Sequence, residues 1–260
     1  MIYSSSQHMG RAVFIFIRSA CPGAKEHGRH KGVLVLEKTD RAQKAPRAKA
    51  RSDPEPPKLP QQPEPGGAEL IAPEAAVEGM EFLGLALAGA AAGRLSLRRT
   101  RLQDVNLRGC RWEQLEATDV VFENCDLSGA DLSGAFLCRV QLRGCRLTGL
   151  DLSASTLRDT LFAGCTAAYA NFGFVRGRRV VMKDCGLTGA DLHGAEVAGL
   201  RLEESRLTGA QLSGTSLAGL DLRSCEIEGM GARPEDLAGA IVTPVQAVGL
   251  AKLLGLDIRD

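Results

Sequence analysis

Aromatic residues are scarce in this 260-residue chain: they make up 4% of it, with one Trp and two Tyr. So few rings argue against a broad globular core and for a narrow interior filled by Leu. Long apolar runs are also missing. The run at residues 12–17 lies between Arg11 and Arg18 and is too short to span a bilayer. Charge is not in excess either: 32 basic and 31 acidic residues give a formal net charge of +1. The split is 12 basic and 9 acidic before residue 80, and 20 and 22 from there on. The chain as a whole advertises neither nucleic-acid binding nor an acidic substrate, and the part from residue 80 on is near neutral.

Catalytic signatures are missing too. Beyond residue 80 His193 is the single His, which excludes a His-based triad or a His-rich metal site there. No phosphate-cradling G-x-x-x-x-G-K-S/T or dinucleotide fingerprint occurs. The nearest approach, Gly229-Met230-Gly231-Ala232-Arg233-Pro234, ends in Pro and reads as an irregular corner. The expectation is a chain with no catalytic residues, no cofactor and no metal.

What is present is a five-residue period from Met80 to Gly249, kept without insertion or deletion. In Ala130-Asp131-Leu132-Ser133-Gly134 and its counterparts the first residue is small or aliphatic, the third is large and apolar, and the fifth is often Gly. Exceptions at the third position are Ala92, Ala117, Ala167, Gly177, Ala232 and Ala247. Five matches neither the 3.6 residues of a helix turn nor the two of a strand, so the chain must turn a corner once per block. Four blocks per coil would stack residues 20 apart at the inter-strand spacing of about 4.8 Å. Sustained short periods of this kind signal a solenoid.

The blocks Ala130-Asp131-Leu132, Ala170-Asn171-Phe172 and Ala190-Asp191-Leu192 resemble the pentapeptide-repeat family, and the resemblance covers about two-thirds of the chain. It implies an all-β fold, a right-handed quadrilateral parallel β-helix. Some bacterial members of that family bind DNA gyrase, imitate duplex DNA and protect against quinolones. The resemblance therefore brings gyrase forward as a partner, and a C-terminal helix as the contact of a homodimer.

Stacking at 20 sorts the side chains into columns. Cys125, Cys145, Cys165, Cys185 and Cys225 share one, with Ser205 in the remaining place. Thiols in file do not converge as zinc requires, nor face each other as a disulfide requires, so they read as small buried residues in a reducing cytoplasm. Arg99, Asp119, Arg139, Asp159 and Arg179 alternate in sign, as do Glu123 with Arg143, and Lys183, Glu203 and Arg223. These are expected to pair across coils on a solvated face, each pair contributing a fraction of a kcal/mol. Asp131, Asp151, Asn171, Asp191 and Gln211 form a further column. It reads either as the family's turn position, bonded to nearby N–H groups, or as an acidic stripe imitating nucleic acid.

One coil keeps the register but changes its chemistry. Tyr169 stands where Gly is expected, Phe174 points outward, Gly177 replaces the apolar centre, and Arg176, Arg178, Arg179 and Lys183 crowd nearby. Exposed aromatics beside Arg suit a protein-contact patch. The competing expectation is that Tyr169 or Phe174 folds inward to fill the hole at Gly177.

The expected organisation is a segment of uncertain order at 1–36, a disordered linker rich in Pro, Ala, Lys and Arg at 37–79, the solenoid at 80–242, and a capping helix and tail at 243–260. Secretion is the lesser reading of the first segment, because Arg18 interrupts its apolar core; a true start further in stays open. Residues 41–51 are basic enough to touch nucleic acid or an acidic partner, although a solvated tail explains them. Thr243 before Pro244 marks a helix start, and Gly255 its end. The function expected is that of a non-enzymatic, cytoplasmic, bacterial interaction or scaffold module with an unknown protein partner, no membrane contact and no direct nucleic-acid binding by the solenoid. The alternative is a DNA-mimicking modulator of gyrase that carries Asp131, Asp151 and Asp191 as its stripe.

Overall fold

The computed structural model describes residues 53–256. Expectations for residues 1–52 and 257–260, including segment 1–36 and the basic stretch 41–51, lie outside the described residues. Each five-residue block forms one side of a square coil, and about seven coils stack as a parallel β-solenoid. Strand pairing fixes the step at 20 residues, as in Val120↔Val140, Leu142↔Phe162 and Phe162↔Met182. Single-residue bridges hold the same offset on the other two sides, as in Asp131↔Asp151 and Arg146↔Thr166. Four faces result. Face I is centred on Phe122, Leu142, Phe162 and Met182, and face II on Leu127, Leu147, Ala167 and Leu187. Face III is centred on Leu132, Leu152, Phe172 and Leu192, and face IV on Leu137, Leu157, Gly177 and Val197.

The longest strands, Glu116–Glu123, Phe136–Arg143, Thr156–Ala163 and Arg176–Lys183, start on face IV and turn the corner onto face I. Central apolar residues from Phe82 to Ile227 point inward and are buried, except Val197, which is partly buried. Fully burying one Leu or Phe side chain contributes roughly 1.5–3 kcal/mol, so this single file of contacts holds the coil together. Phe162 and Phe172, on opposite sides of one coil, meet edge to face with ring centroids 5.8 Å apart. Between them they fill the cross-section that Ala167 and Gly177 leave. No ring folds in from outside, since Tyr169 and Phe174 are both exposed. The backbone itself closes in at Gly177: a Cβ there would lie 2.4 Å from the Leu157 carbonyl oxygen.

The Cys column is part of this interior. Sγ of Cys125, Cys145, Cys165, Cys185 and Cys225 each lies 3.3–3.6 Å from a carbonyl of the preceding coil. Ser205 makes the same contact, donating to Met182 O at 3.2 Å. Burial pushes the Cys110 thiol up to about 12 and raises that of Cys225, so both stay protonated and unreactive.

Composition places residues 37–79 in a disordered linker, and residues 53–79 depart from that expectation. Ala76–Glu78 pairs in parallel with Ser96–Arg98, and Glu64–Pro65 pairs with Met80–Leu83. Gly66 lies on the ring of Phe82, so the chain crosses the open end of the first coil. Before it, residues 53–63 run as an arm down the corner between faces IV and I. A Pro-rich segment cannot build a core, but it loses little entropy on docking to one that exists.

At the other end the helix forms where its signals lie, over Pro244–Ala251, with the Thr243 hydroxyl accepting from Gln246 N at 3.2 Å. Gln246 Nε2 donates to the carbonyls of Leu222 and Cys225, both at 2.8 Å. Backbone acceptors of the last coil are thereby satisfied by the cap. Asp236 accepts from Arg233 Nε at 2.9 Å and Gly214 N at 2.8 Å, which pins the turn Pro234–Leu237 to the coil below. No helix among the described residues is long and apolar enough to cross a membrane.

Candidate functional site

Tyr169 and Phe174 close two successive blocks, so they occupy the two corners that bound face III. Both adopt left-handed backbone conformations, with φ of 57° and 56°. In the column of Tyr169, Gly149, Gly189 and Gly209 take that conformation without a Cβ; in that of Phe174, Gly134, Gly194 and Gly214 do so, beside Glu74, Arg94, Gln114 and Ala154. A bulky residue there is uncommon, and the left-handed region costs a non-Gly residue about 1–2 kcal/mol. The rings are nonetheless outside, Tyr169 being 70% and Phe174 62% exposed. Each leans onto the next coil, where a Gly makes room: a Cβ on Gly189 would meet the Tyr169 ring at 2.7 Å, and one on Gly194 the Phe174 ring at 2.9 Å. Phe174 also meets the His193 imidazole edge to face at 5.3 Å.

Face III between these rings carries the column with the acidic residues. Asp131 Oδ1 accepts from Ser133 N at 2.9 Å, Asp151 from Ser153 N at 2.8 Å, Asn171 from Gly173 N at 2.9 Å and Asp191 from His193 N at 2.8 Å. The backbone bonds that make a file of like charges tolerable are therefore present. The sequence treats the aromatic coil and the acidic column as separate features, yet they share one surface. Their spacing carries the signal: residues five apart at corner positions flank everything between them. Asn171, Asp191 and His193 join the aromatic site on that ground.

The basic residues of the expected patch do not all gather. Arg176 and Arg178 are exposed on face IV, around the corner from Phe174, and Arg176 Nε lies 3.8 Å from Glu196. Lys183 is on face I, 4.0 Å from Glu204. Arg179 is committed elsewhere, to Asp159 and to Glu55 of the arm. Going around the square at five residues per side carries Lys183 two faces away from Phe174.

The corner holding Arg179 departs most from expectation. Asp119 and Asp159 lie below the surface, with side chains 9% and 3% exposed, rather than on a solvated face. Asp119 accepts Nε and an Nη of Arg139, both at 2.6 Å, from one coil further on; Asp159 accepts Arg179 in the same forked way. Each carboxylate takes one bond more, from the arm: Lys58 N donates to Asp119 at 2.9 Å and Glu55 N to Asp159 at 3.1 Å. Burial works to raise the Asp119 carboxyl, but the Arg139 guanidinium and the Lys58 N–H outweigh it and hold it below its usual range. For Asp159 the Arg179 guanidinium is the largest influence, and it too is held low.

Elsewhere the alternating charges do not pair as expected. Arg143 turns to Gln141 and Arg223 to Asp221, each in its own block, and Arg99, at the start of the Asp119 column, turns to Glu78. Only where the arm excludes water does sign alternation become a forked ion pair between coils.

Among the described residues, no three His, Cys, Asp or Glu side chains are placed to hold a metal ion. One family model, a pentapeptide repeat region, matches residues 115–180, and a second, pentapeptide repeats in eight copies, matches residues 185–223. No curated protein matches the chain. Among solved structures, full-length QnrB1, a plasmid-mediated fluoroquinolone resistance protein, is 22% identical over 71% of this chain and 92% of its own, with a TM-score of 0.36. HetL from Nostoc sp. strain PCC 7120, a pentapeptide repeat protein involved in heterocyst differentiation regulation, is 19% identical over 64% of this chain and 86% of its own, with a TM-score of 0.27. A pentapeptide repeat protein from the Arabidopsis thaliana thylakoid lumen is 26% identical over 49% and 75%, also with a TM-score of 0.27. Global superpositions at these values carry little weight beside the repeat matches and the 20-residue register. On those two grounds the chain belongs to the pentapeptide-repeat family.

Proposed function

We propose that this chain is a non-enzymatic interaction or scaffold module of the cytoplasm, and that its partner is a protein seated on face III and the adjoining corner at Phe174. One observation carries the reading: Tyr169 and Phe174 stand exposed in a left-handed backbone conformation that the column of Tyr169 otherwise gives to Gly alone, and that the column of Phe174 gives to no other aromatic residue. A fold gains nothing from two strained, solvated rings, whereas a contact surface does. Arg176 and Arg178 extend the surface on one side, and Asp191 and His193 lie between the rings. Arg179 and Lys183 are outside this contact.

The test compares the wild-type chain with Phe174→Ala/Arg178→Ala, each immobilised and exposed to extract of the source cells. The reading requires a protein retained by the first and lost by the second. Equal retention would move the contact elsewhere.

A second reading, DNA mimicry towards gyrase, draws support from the alignment of Asp131, Asp151 and Asp191 in one column of face III. Asn171 and Gln211 interrupt that column, and one oxygen of each carboxylate is already bonded to backbone. A supercoiling assay with purified gyrase, with and without fluoroquinolone, decides it: no inhibition and no protection at micromolar protein would remove this reading. A homodimer through the C-terminal helix is supported by exposed Ile241, Val245, Val248 and Leu256 around it. Light scattering of wild type against Val245→Asp measures it, and a monomer in both would exclude that contact.

A further inference from the structure

The arm and the corner it follows have matching periods. Asp119 and Asp159 are two coils apart, which is about 9.5 Å at the inter-strand spacing. The residues that donate to them, Lys58 and Glu55, are three apart, and three residues of polyproline II rise about 9.3 Å and complete one turn. Successive turns of an extended Pro-rich chain thus bring an N–H back to the same column at every second coil, where Asp stands. Between the two donors lie Pro56 and Pro57, which have no N–H to offer and whose φ favours that conformation. At the alternate coils, Arg139 and Arg179 occupy the column and fork the carboxylates.

Two carboxylates of the arm add orientation: Glu55 reaches Arg179 at 3.5 Å and Asp53 reaches Arg201 at 2.5 Å. Beside the corner, Val121, Val181 and Cys138 face outward by strand alternation and are nevertheless buried. An apolar floor of that kind suits Pro rings. The arm is held by few bonds, and its anchoring carboxylates stay largely in water, Glu55 58% and Asp53 83% exposed.

We propose that the Asp119/Asp159 corner is a recognition track for polyproline II chains, with residues 53–65 as its resident ligand. The same track takes, in trans, a Pro-rich segment of another protein with the pattern acid, Pro, acid, Pro, Pro, non-Pro. The pattern is read from Asp53-Pro54-Glu55-Pro56-Pro57-Lys58: acids for Arg201 and Arg179, and N–H groups for Asp159 and Asp119. The site is diagonally opposite Tyr169 on the coil and does not depend on the reading of face III.

The experiment titrates a fluorescein-labelled peptide of sequence Asp53 to Pro65 with the full chain and follows its anisotropy. In a Glu55→Pro/Lys58→Pro chain the arm keeps its conformation but loses both N–H donors, so it yields the track without touching the solenoid. That variant is expected to bind the peptide at least 10-fold tighter than wild type. A peptide bearing the same two prolines should bind neither protein, and adding Asp119→Asn/Asp159→Asn to the variant should abolish binding. Absent binding to the variant, or equal binding of both peptides, overturns the proposal. A wild-type dimer by light scattering that dissociates in Glu55→Pro/Lys58→Pro would make the arm of a second copy the occupant and overturn the partner assignment.

Discussion

Asp119 and Arg139 face each other from adjacent coils through two hydrogen bonds of 2.6 Å, and the Lys58 N–H completes the carboxylate at 2.9 Å. Asp159 repeats the arrangement two coils on. Replacing either Asp by Asn keeps the shape but removes the charge and one of the fork's acceptors. Each substitution is expected to cost about 1.5–3 kcal/mol, the range for hydrogen bonds to charged groups. Urea denaturation measures the change; a loss below a few tenths would return these pairs to the class of surface ion pairs.

Acid should loosen the arm. Both carboxyls are held below their usual range in the folded chain, so it binds fewer protons than the unfolded chain. Their contribution is complete above the unfolded carboxylate value of about 4 and is lost as pH falls from there through the lower folded values. Amide exchange protection at Glu55 and Lys58, corrected for intrinsic rates, should therefore collapse between about pH 4 and the lower folded values, while protection at Leu142 persists. Unchanged protection of the arm through that window would contradict the assignment.

Tyr169→Gly and Phe174→Gly should leave the fold as stable as before or make it slightly more so. Relief of the left-handed conformation returns about 1–2 kcal/mol, and the extra freedom of Gly in the unfolded chain takes back about 0.5–1 kcal/mol. Thermal unfolding reads the balance. A marked drop in melting temperature for either would mean that these rings serve the fold, not a partner.

Gly177→Ala should be costly although the residue is small. A Cβ there would lie 2.4 Å from a backbone oxygen, and backbone held in a ladder cannot step aside. Overpacking of this kind costs about 1–3 kcal/mol. Phe162→Ala, which opens the same cross-section, should cost about 3–5 kcal/mol. Denaturation midpoints for the two give the comparison, and a neutral Gly177→Ala would refute the view that Phe162 and Phe172 already fill the coil.

Register, inward positions and the C-terminal cap were all legible in the sequence, because each follows from local pattern: the period of five, and Thr-Pro followed by Gly255. The Cys column was legible for the same reason, since stacking at 20 needs no knowledge of anything outside the coils. The role of Asp119 and Asp159 was not. Their burial depends on residues 53–63, whose composition says only that they cannot fold alone. Gly177 misled because volume was counted along its column, whereas the compensating bulk, Phe162 and Phe172, lies around its coil. The split of the basic cluster could have been read from the square itself, in which five residues of sequence separate one face from the next.

The central claim is that face III between Tyr169 and Phe174 is a contact surface on an otherwise structural coil. A photo-crosslinking residue in place of exposed His193, compared in source cells with one in place of exposed Arg143 on the opposite face, tests it most directly. The account predicts a discrete protein adduct from position 193, lost when Tyr169→Gly and Phe174→Gly are added, and none from position 143. No adduct from position 193, or the same adduct from both faces, would contradict it.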